Sequence, residues 1–181
     1  MTKLKQLSLV ITTSLLLGAC SYLAPIEEGV DGSFGLTPED WNANGRFIYE
    51  SGEERKTGQF DWRQQGGQYE VRLFGPFGIG SIKITGDASE VEIVSSEDTY
   101  TSNQPSQLFY ELTNMQIPIS ELGNWLVGNT EATNQDSNGW HTAYDEFESV
   151  ESYNLPTRID IANENTSIRI AISDWSLDLA D

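Results

Sequence analysis

Apolar side chains recur at every second position over most of this chain, and that period constrains the fold more than any other feature. Phe60 and Trp62 flank Asp61, and Tyr69, Val71 and Leu73 alternate with Glu70 and Arg72. Ile82 and Ile84 flank Lys83, Val91 and Ile93 flank Glu92, and Trp140, Thr142 and Tyr144 share a face. Ile159 and Ile161 flank Asp160, and Ile168, Ile170 and Ile172 are spaced by Arg169 and Ala171. In an extended chain successive side chains point to opposite faces, so each run is a strand with one dry and one wet face. The separators are turn-formers: Gln65-Gly66-Gly67, Gly86-Asp87-Ala88 and Asn163-Glu164-Asn165. Such short gaps join neighbouring antiparallel strands and leave no room for a parallel crossover.

Two stretches break the rhythm. Gln104–Thr113 places Leu108 and Leu112 four apart with Phe109 beside them. Pro118–Val127 places Ile119, Leu122, Trp125 and Leu126 at helical spacing, with Pro118 as a start signal and Gly128 as a stop. A third helix start is expected at Thr37-Pro38-Glu39-Asp40, where Thr37 can cap and Pro38 suits the first turn. A sheet with one apolar face needs a cover. Two amphipathic helices in mid-chain supply one, and an imperfect fit beneath them would leave an apolar pocket. Trp62, Leu108, Phe109, Leu112, Leu122, Trp125 and Leu126 are the candidates to line it. Solid cores use the same side chains, so the sequence leaves cavity wall and core open at each of these positions.

Little in the chain suggests chemistry. The single histidine, His141, points away from Trp140 and Tyr144 by strand parity, toward water. Histidine and cysteine are too scarce for a zinc site or a nucleophile–histidine pair, and no metal or cofactor is expected. Asn134-Gln135-Asp136-Ser137-Asn138-Gly139 lacks the spacing of a calcium loop and reads as a turn. Acids outnumber bases 28 to 10, giving a formal charge of −18. Such a surface repels nucleic acid. Carboxylates are numerous, but most fall on wet strand faces or in loops, and an enzyme is not expected.

Cys20 is the only cysteine. Lys3 and Lys5 precede a short apolar run that ends Leu15-Leu16-Leu17-Gly18-Ala19-Cys20. That is the layout of a secretory signal peptide with small residues at the cut. Leu17-Gly18-Ala19-Cys20 resembles the bacterial lipobox, in which the cysteine sulfur takes a diacylglycerol and the new amino terminus is acylated. Residues 1–19 are therefore read as the signal peptide, 20–36 as lipidated Cys20 with a polar tether, and 37–181 as the folded domain. Cleavage removes two lysines and no acid, which takes the charge from −18 to −20. Charge then opposes attachment to anionic lipid, so the acyl chains must anchor the protein.

One loop is unusually apolar. Leu73-Phe74-Gly75-Pro76-Phe77-Gly78-Ile79-Gly80 joins two strands, where a polar surface turn is the norm. Glycine and proline force the turn, so a large apolar side chain at its tip projects outward. Phe77 is the candidate, held between Pro76 and Gly78.

The order of these features resembles the LolB family of outer-membrane lipoprotein receptors. The lipobox is followed by Trp41-x-x-x-Gly45-Arg46, the strand into Gly75-Pro76-Phe77-Gly78, and Ile117-Pro118-Ile119 leading to Leu122-x-x-Trp125-Leu126-x-Gly128. Trp140, Tyr144, Leu155-Pro156 and Trp175 complete the series. The resemblance implies an unclosed antiparallel β-barrel, mainly β with short helices that line a hydrophobic cavity. It implies acceptance of lipoproteins, by their acyl chains, from the periplasmic carrier LolA, and insertion into the inner leaflet of the outer membrane. The family's protruding loop carries an exposed apolar residue, commonly leucine, that serves membrane insertion; Phe77 stands at the matching position. Ser21 after the cysteine is similar to outer-membrane sorting. The implied partners are LolA, lipoprotein acyl chains and outer-membrane phospholipid, met by a monomer facing the periplasm. A non-catalytic envelope scaffold and a lipid-anchored carboxylate hydrolase remain the alternatives.

Overall fold

A computed structural model describes residues 37–75, 81–95, 98–129 and 139–177. Nine strands form one antiparallel sheet: β1 (Asp40–Ser51), β2 (Glu54–Gln65), β3 (Gln68–Phe74), β4 (Ile82–Gly86), β5 (Val91–Val94), β6 (Thr99–Ser102), β7 (His141–Val150), β8 (Tyr153–Ala162) and β9 (Thr166–Ser176). Their spatial order is β6-β5-β4-β3-β2-β1-β9-β8-β7. The chain meanders from the middle of the sheet to one edge, then reappears at the other edge and meanders back until β9 pairs with β1. Edges β6 and β7 do not pair, so the barrel is unclosed.

The link between the two edges carries α1 (Pro105–Thr113) and α2 (Ile119–Leu126), as the helical spacing predicts. Isolated helices this short are marginal in water, and neither has a side-chain N-cap bond. Burial against the sheet holds them. Trp41, Phe47, Tyr49, Phe60, Trp62, Val71, Ile84 and Ile93 from the sheet, and Phe109, Trp125 and Leu126 from the helices, belong to one hydrophobic core.

Alternation is strict on the central strands. In β1 the inward residues are Trp41, Ala43, Gly45, Phe47 and Tyr49. The helix expected at Thr37 is therefore a correction: regular structure begins at Asp40, as strand. A local cap competes there with twelve residues of ladder to β2 and ten to β9, plus burial of every second side chain, and the pairing wins. In β9 the register shifts opposite Asn44 and Gly45, which leaves Ser173 unpaired. This bulge returns Trp175 to the inside, three residues after Ile172, where plain alternation would expose it. Three indoles then meet at one end. Trp41 stacks on Trp62 at 6.0 Å between centroids and meets Trp175 edge-on at 5.3 Å. Two of them have their N–H satisfied: Trp62 Nε1 donates to Gln64 Oε1 at 3.0 Å, and Trp175 Nε1 to the Pro156 carbonyl at 3.1 Å.

Candidate functional site

Between the helices and the inner face of the sheet lies a cavity of about 40 Å³ whose lining side chains are all apolar. The sheet contributes Phe47, Phe60, Trp62, Val71, Leu73, Ile168 and Ile170. The crossing segment contributes Phe109, Met115, Ile117, Ile119, Leu122 and Leu126. Of the residues named from sequence, Trp62, Phe109, Leu122 and Leu126 stand on the wall. Leu108 and Trp125 are buried in the surrounding core, and Leu112 packs against it from the half-exposed side of α1. Trp125 meets Trp140 at 5.9 Å instead. A void of this size admits little more than water-scale objects, yet has no polar group to hold water.

Sequence reasoning passed over the connector between the helices. Met115 and Ile117 are buried at every second position, in step with Ile119 at the start of α2, the same signal that marks the strands. Two alternating residues are too short a run to mark a strand, so Met115 carries no clear signal in the sequence. Asn114 ends α1 in the left-handed conformation, with φ 54°, and turns the chain inward.

Polar groups hold this lid to the sheet. Lys56 Nζ donates to the Thr113 carbonyl at 2.9 Å and pairs with Glu54 at 2.7 Å. Asn114 Nδ2 also donates to Glu54, at 3.2 Å. Lys56 and then Asn114 draw the Glu54 carboxyl below its ordinary pKa. The backbone N–H of Gln116 donates to Tyr49 Oη at 3.1 Å, and Tyr144 Oη donates to the Trp125 carbonyl at 3.0 Å. Burial pushes the Tyr144 phenol up, against a smaller downward pull from Thr142. Gly123 of α2 rests on the Trp62 indole, and a Cβ there would lie 3.2 Å from Cζ2. Each contact fixes the roof of an apolar space, and none places an acid beside a nucleophile.

His141 is exposed on β7, as strand parity predicts. Pro76, Phe77 and Gly78 fall between β3 and β4, and they and Cys20 lie outside the described residues. Among the described residues no group of acids, histidines or cysteines could hold a metal ion, and no helix is long and apolar enough to cross a membrane.

The family model described as "Outer membrane lipoprotein LolB" matches residues 39–175. The chain is 30% identical to an outer-membrane lipoprotein LolB of Alkalilimnicola ehrlichii, over 91% of this chain and 93% of that one. It is 26% identical to the LolB of Halorhodospira halophila, over 92% of each. A crystal structure of a LolA-superfamily protein from Nitrosomonas europaea superposes with a TM-score of 0.46 at 10% identity, covering 83% of this chain and 91% of that one.

Proposed function

Because this chain belongs to the LolB family, we propose that it is a lipid-anchored outer-membrane lipoprotein receptor that holds cargo by its acyl chains. In this reading Cys20 carries the lipid and the domain faces the periplasm. LolA delivers the cargo, and the receptor passes it to the inner leaflet of the outer membrane. The observation that carries the reading is the wholly apolar cavity beneath α1 and α2. Moving an acyl chain between proteins makes and breaks no covalent bond, which suits a site built without an acid, base or nucleophile. Transfer runs toward greater burial of apolar surface.

The cavity, at about 40 Å³, is small, and an acyl chain needs far more room. Loading therefore requires α1 and α2 to lift from the sheet, and the short, weakly capped helices suit that movement. The lid opens against a handful of hydrogen bonds and regains apolar contact from the acyl chain.

The test is a reconstitution that scores carrier-to-receptor and receptor-to-liposome transfer separately, alongside displacement of a fluorescent fatty acid. The wild-type protein binds the probe and completes both steps; a scaffold binds no probe, and a hydrolase turns over a saccharide. Phe77 acts in the second step. Phe77→Glu lowers liposome delivery more than Phe77→Ala does, because a carboxylate must also be desolvated at the interface. The alanine loss is about tenfold or more, the value of burying one aromatic side chain in lipid. Phe77→Leu is nearly silent. Loss of the first step with the second spared would instead make Phe77 a carrier contact.

A further inference from the structure

We propose that a groove on the outer face of the sheet, centred on Arg46, binds the phosphodiester of a bilayer phospholipid and orients the receptor on the membrane; this rests on the receptor reading above. Phe74 of β3 lies opposite Gln59 of β2, Gln59 opposite Arg46 of β1, and Arg46 opposite Ala171 of β9. Arg169 sits two residues along β9, opposite Ile48. All of these side chains leave from the outer face, because Phe47, Leu73, Ile170 and Ile172 fill the inner one. They border a groove of about 520 Å³ lined by Arg46, Ile48, Thr57, Gln59, Phe74 and Arg169.

The charge arrangement is unusual for so acidic a chain. Arg55, Lys56, Arg72, Lys83, Arg158 and Arg169 each pair with a carboxylate. Of the arginines and lysines among the described residues, only Arg46 and Arg63 form no ion pair. Arg63 shares a separate depression with Asp61 and Glu70. The groove around Arg46 has no acid in its lining. Arg169 spends Nε on Asp160 at 3.0 Å, which leaves Nη1 and Nη2 for a second acceptor. Two guanidinium groups with free donors match the oxygens of a phosphodiester.

The apolar members select a bilayer over a soluble anion. Phe74 is 40% exposed and lines the same groove as the arginines, across β2 from Arg46. A solvent-facing aromatic ring at the rim of a groove that also holds guanidinium groups suits the boundary between head groups and acyl chains. Phe74 also precedes Gly75-Pro76-Phe77-Gly78 in sequence, the segment assigned above to bilayer delivery. A net charge of −18, or −20 without residues 1–19, holds most of the surface off a membrane, and one basic, aromatic-edged groove then dictates which side approaches.

The experiment uses the mature chain 20–181 with Cys20→Ser, which carries no lipid and contains the whole compact unit Phe34–Asp181. Flotation is measured with vesicles of phosphatidylethanolamine and phosphatidylglycerol, and with vesicles of phosphate-free digalactosyldiacylglycerol. Wild-type protein is expected to bind the phospholipid vesicles more tightly than the galactolipid ones, with affinity falling as salt rises. Arg46→Gln lowers phospholipid binding about fivefold, the usual value of one basic residue at such a surface. Arg46→Lys retains most of it, Phe74→Ala weakens it, and neither arginine variant changes galactolipid binding. Equal phospholipid binding by Arg46→Gln and wild type, or equal wild-type binding to the two vesicle types, overturns the proposal. Full competition by soluble glycerol phosphate also overturns it, in favour of a site for a free phosphate ester. Displacement of the fatty-acid probe is measured on the same samples. Failure there removes the receptor reading, whereas failure of flotation with the probe intact removes only the head-group site.

Discussion

Gly45 shows how much one residue can decide. It lies where the β9 bulge presses its backbone toward β1. A Cβ at Gly45 would collide with the Ala171 carbonyl oxygen and stand 3.1 Å from the Ile172 Cα. Backbone cannot rotate aside as a side chain can. Gly45→Ala is therefore expected to cost about 3 kcal/mol, the upper end for overpacking, and to lower the melting temperature by several degrees. It should also disturb the register that turns Trp175 inward, visible as a change in near-ultraviolet circular dichroism. An unchanged melting temperature would mean the strands separate there without cost.

Among the elements, the helices and the sheet differ in what stabilises them. β1 is paired on both sides along most of its length, whereas α2 is eight residues held by packing and a few hydrogen bonds. Tyr144 links the edge strand β7 to the last turn of α2 through the Trp125 carbonyl. Tyr144→Phe removes that bond and keeps the ring. The expected loss is about 1 kcal/mol, localised to the lid. Hydrogen exchange in α2 should speed up about fivefold while β1 and β9 keep their protection, and fatty-acid probe should enter faster. Uniform exchange across helix and sheet would show that lid and sheet open as one unit.

Stability of the whole molecule is expected to fall at both ends of the pH scale. On the acid side, Lys83 first lowers the Glu70 carboxyl, Lys56 lowers Glu54, and the Ser89 backbone N–H lowers Asp87. Lowered carboxyls bind fewer protons folded than unfolded, so their contribution is present above the ordinary carboxylate range and is lost as pH falls through the lowered values. All three lie at or near the surface, so each contribution is small. On the alkaline side, burial and then the Asp87 charge raise the Tyr69 phenol to about 12. Its buried Oη has no hydrogen-bond partner among the described residues. The unfolded chain ionises this group near 10, so the contribution of Tyr69 is constant below that value and declines between 10 and about 12. Tyr69→Phe should flatten the alkaline decline in a denaturation series run from pH 8 to 12. An unaltered slope would assign the decline to other groups.

Alternation at Tyr69, Val71 and Leu73, or at Ile159 and Ile161, is a local property of an extended chain, so strand faces and the outward direction of His141 could be read from sequence alone. Helical spacing and proline did the same for α1 and α2. Thr37 and Pro38 misled because a capping signal is also local, and pairing from β2 and β9, distant in sequence, overrode it. No local pattern separates Trp62 and Leu126, on the cavity wall, from Leu108 and Trp125, in solid core. All four are apolar and inward, and only the path of the crossing segment between the two sheet edges decides which of them meet empty space. The groove at Arg46 depends on tertiary structure for the same reason. Phe74, Arg46 and Arg169 are far apart along the chain, and the register of four strands brings them together. Sequence by itself determined the alternation, the turns and the apolar supply. Strand order, the bulge opposite Gly45 and the fit of the lid were decided by long-range pairing and packing, because those energies depend on neighbours the local sequence does not contain.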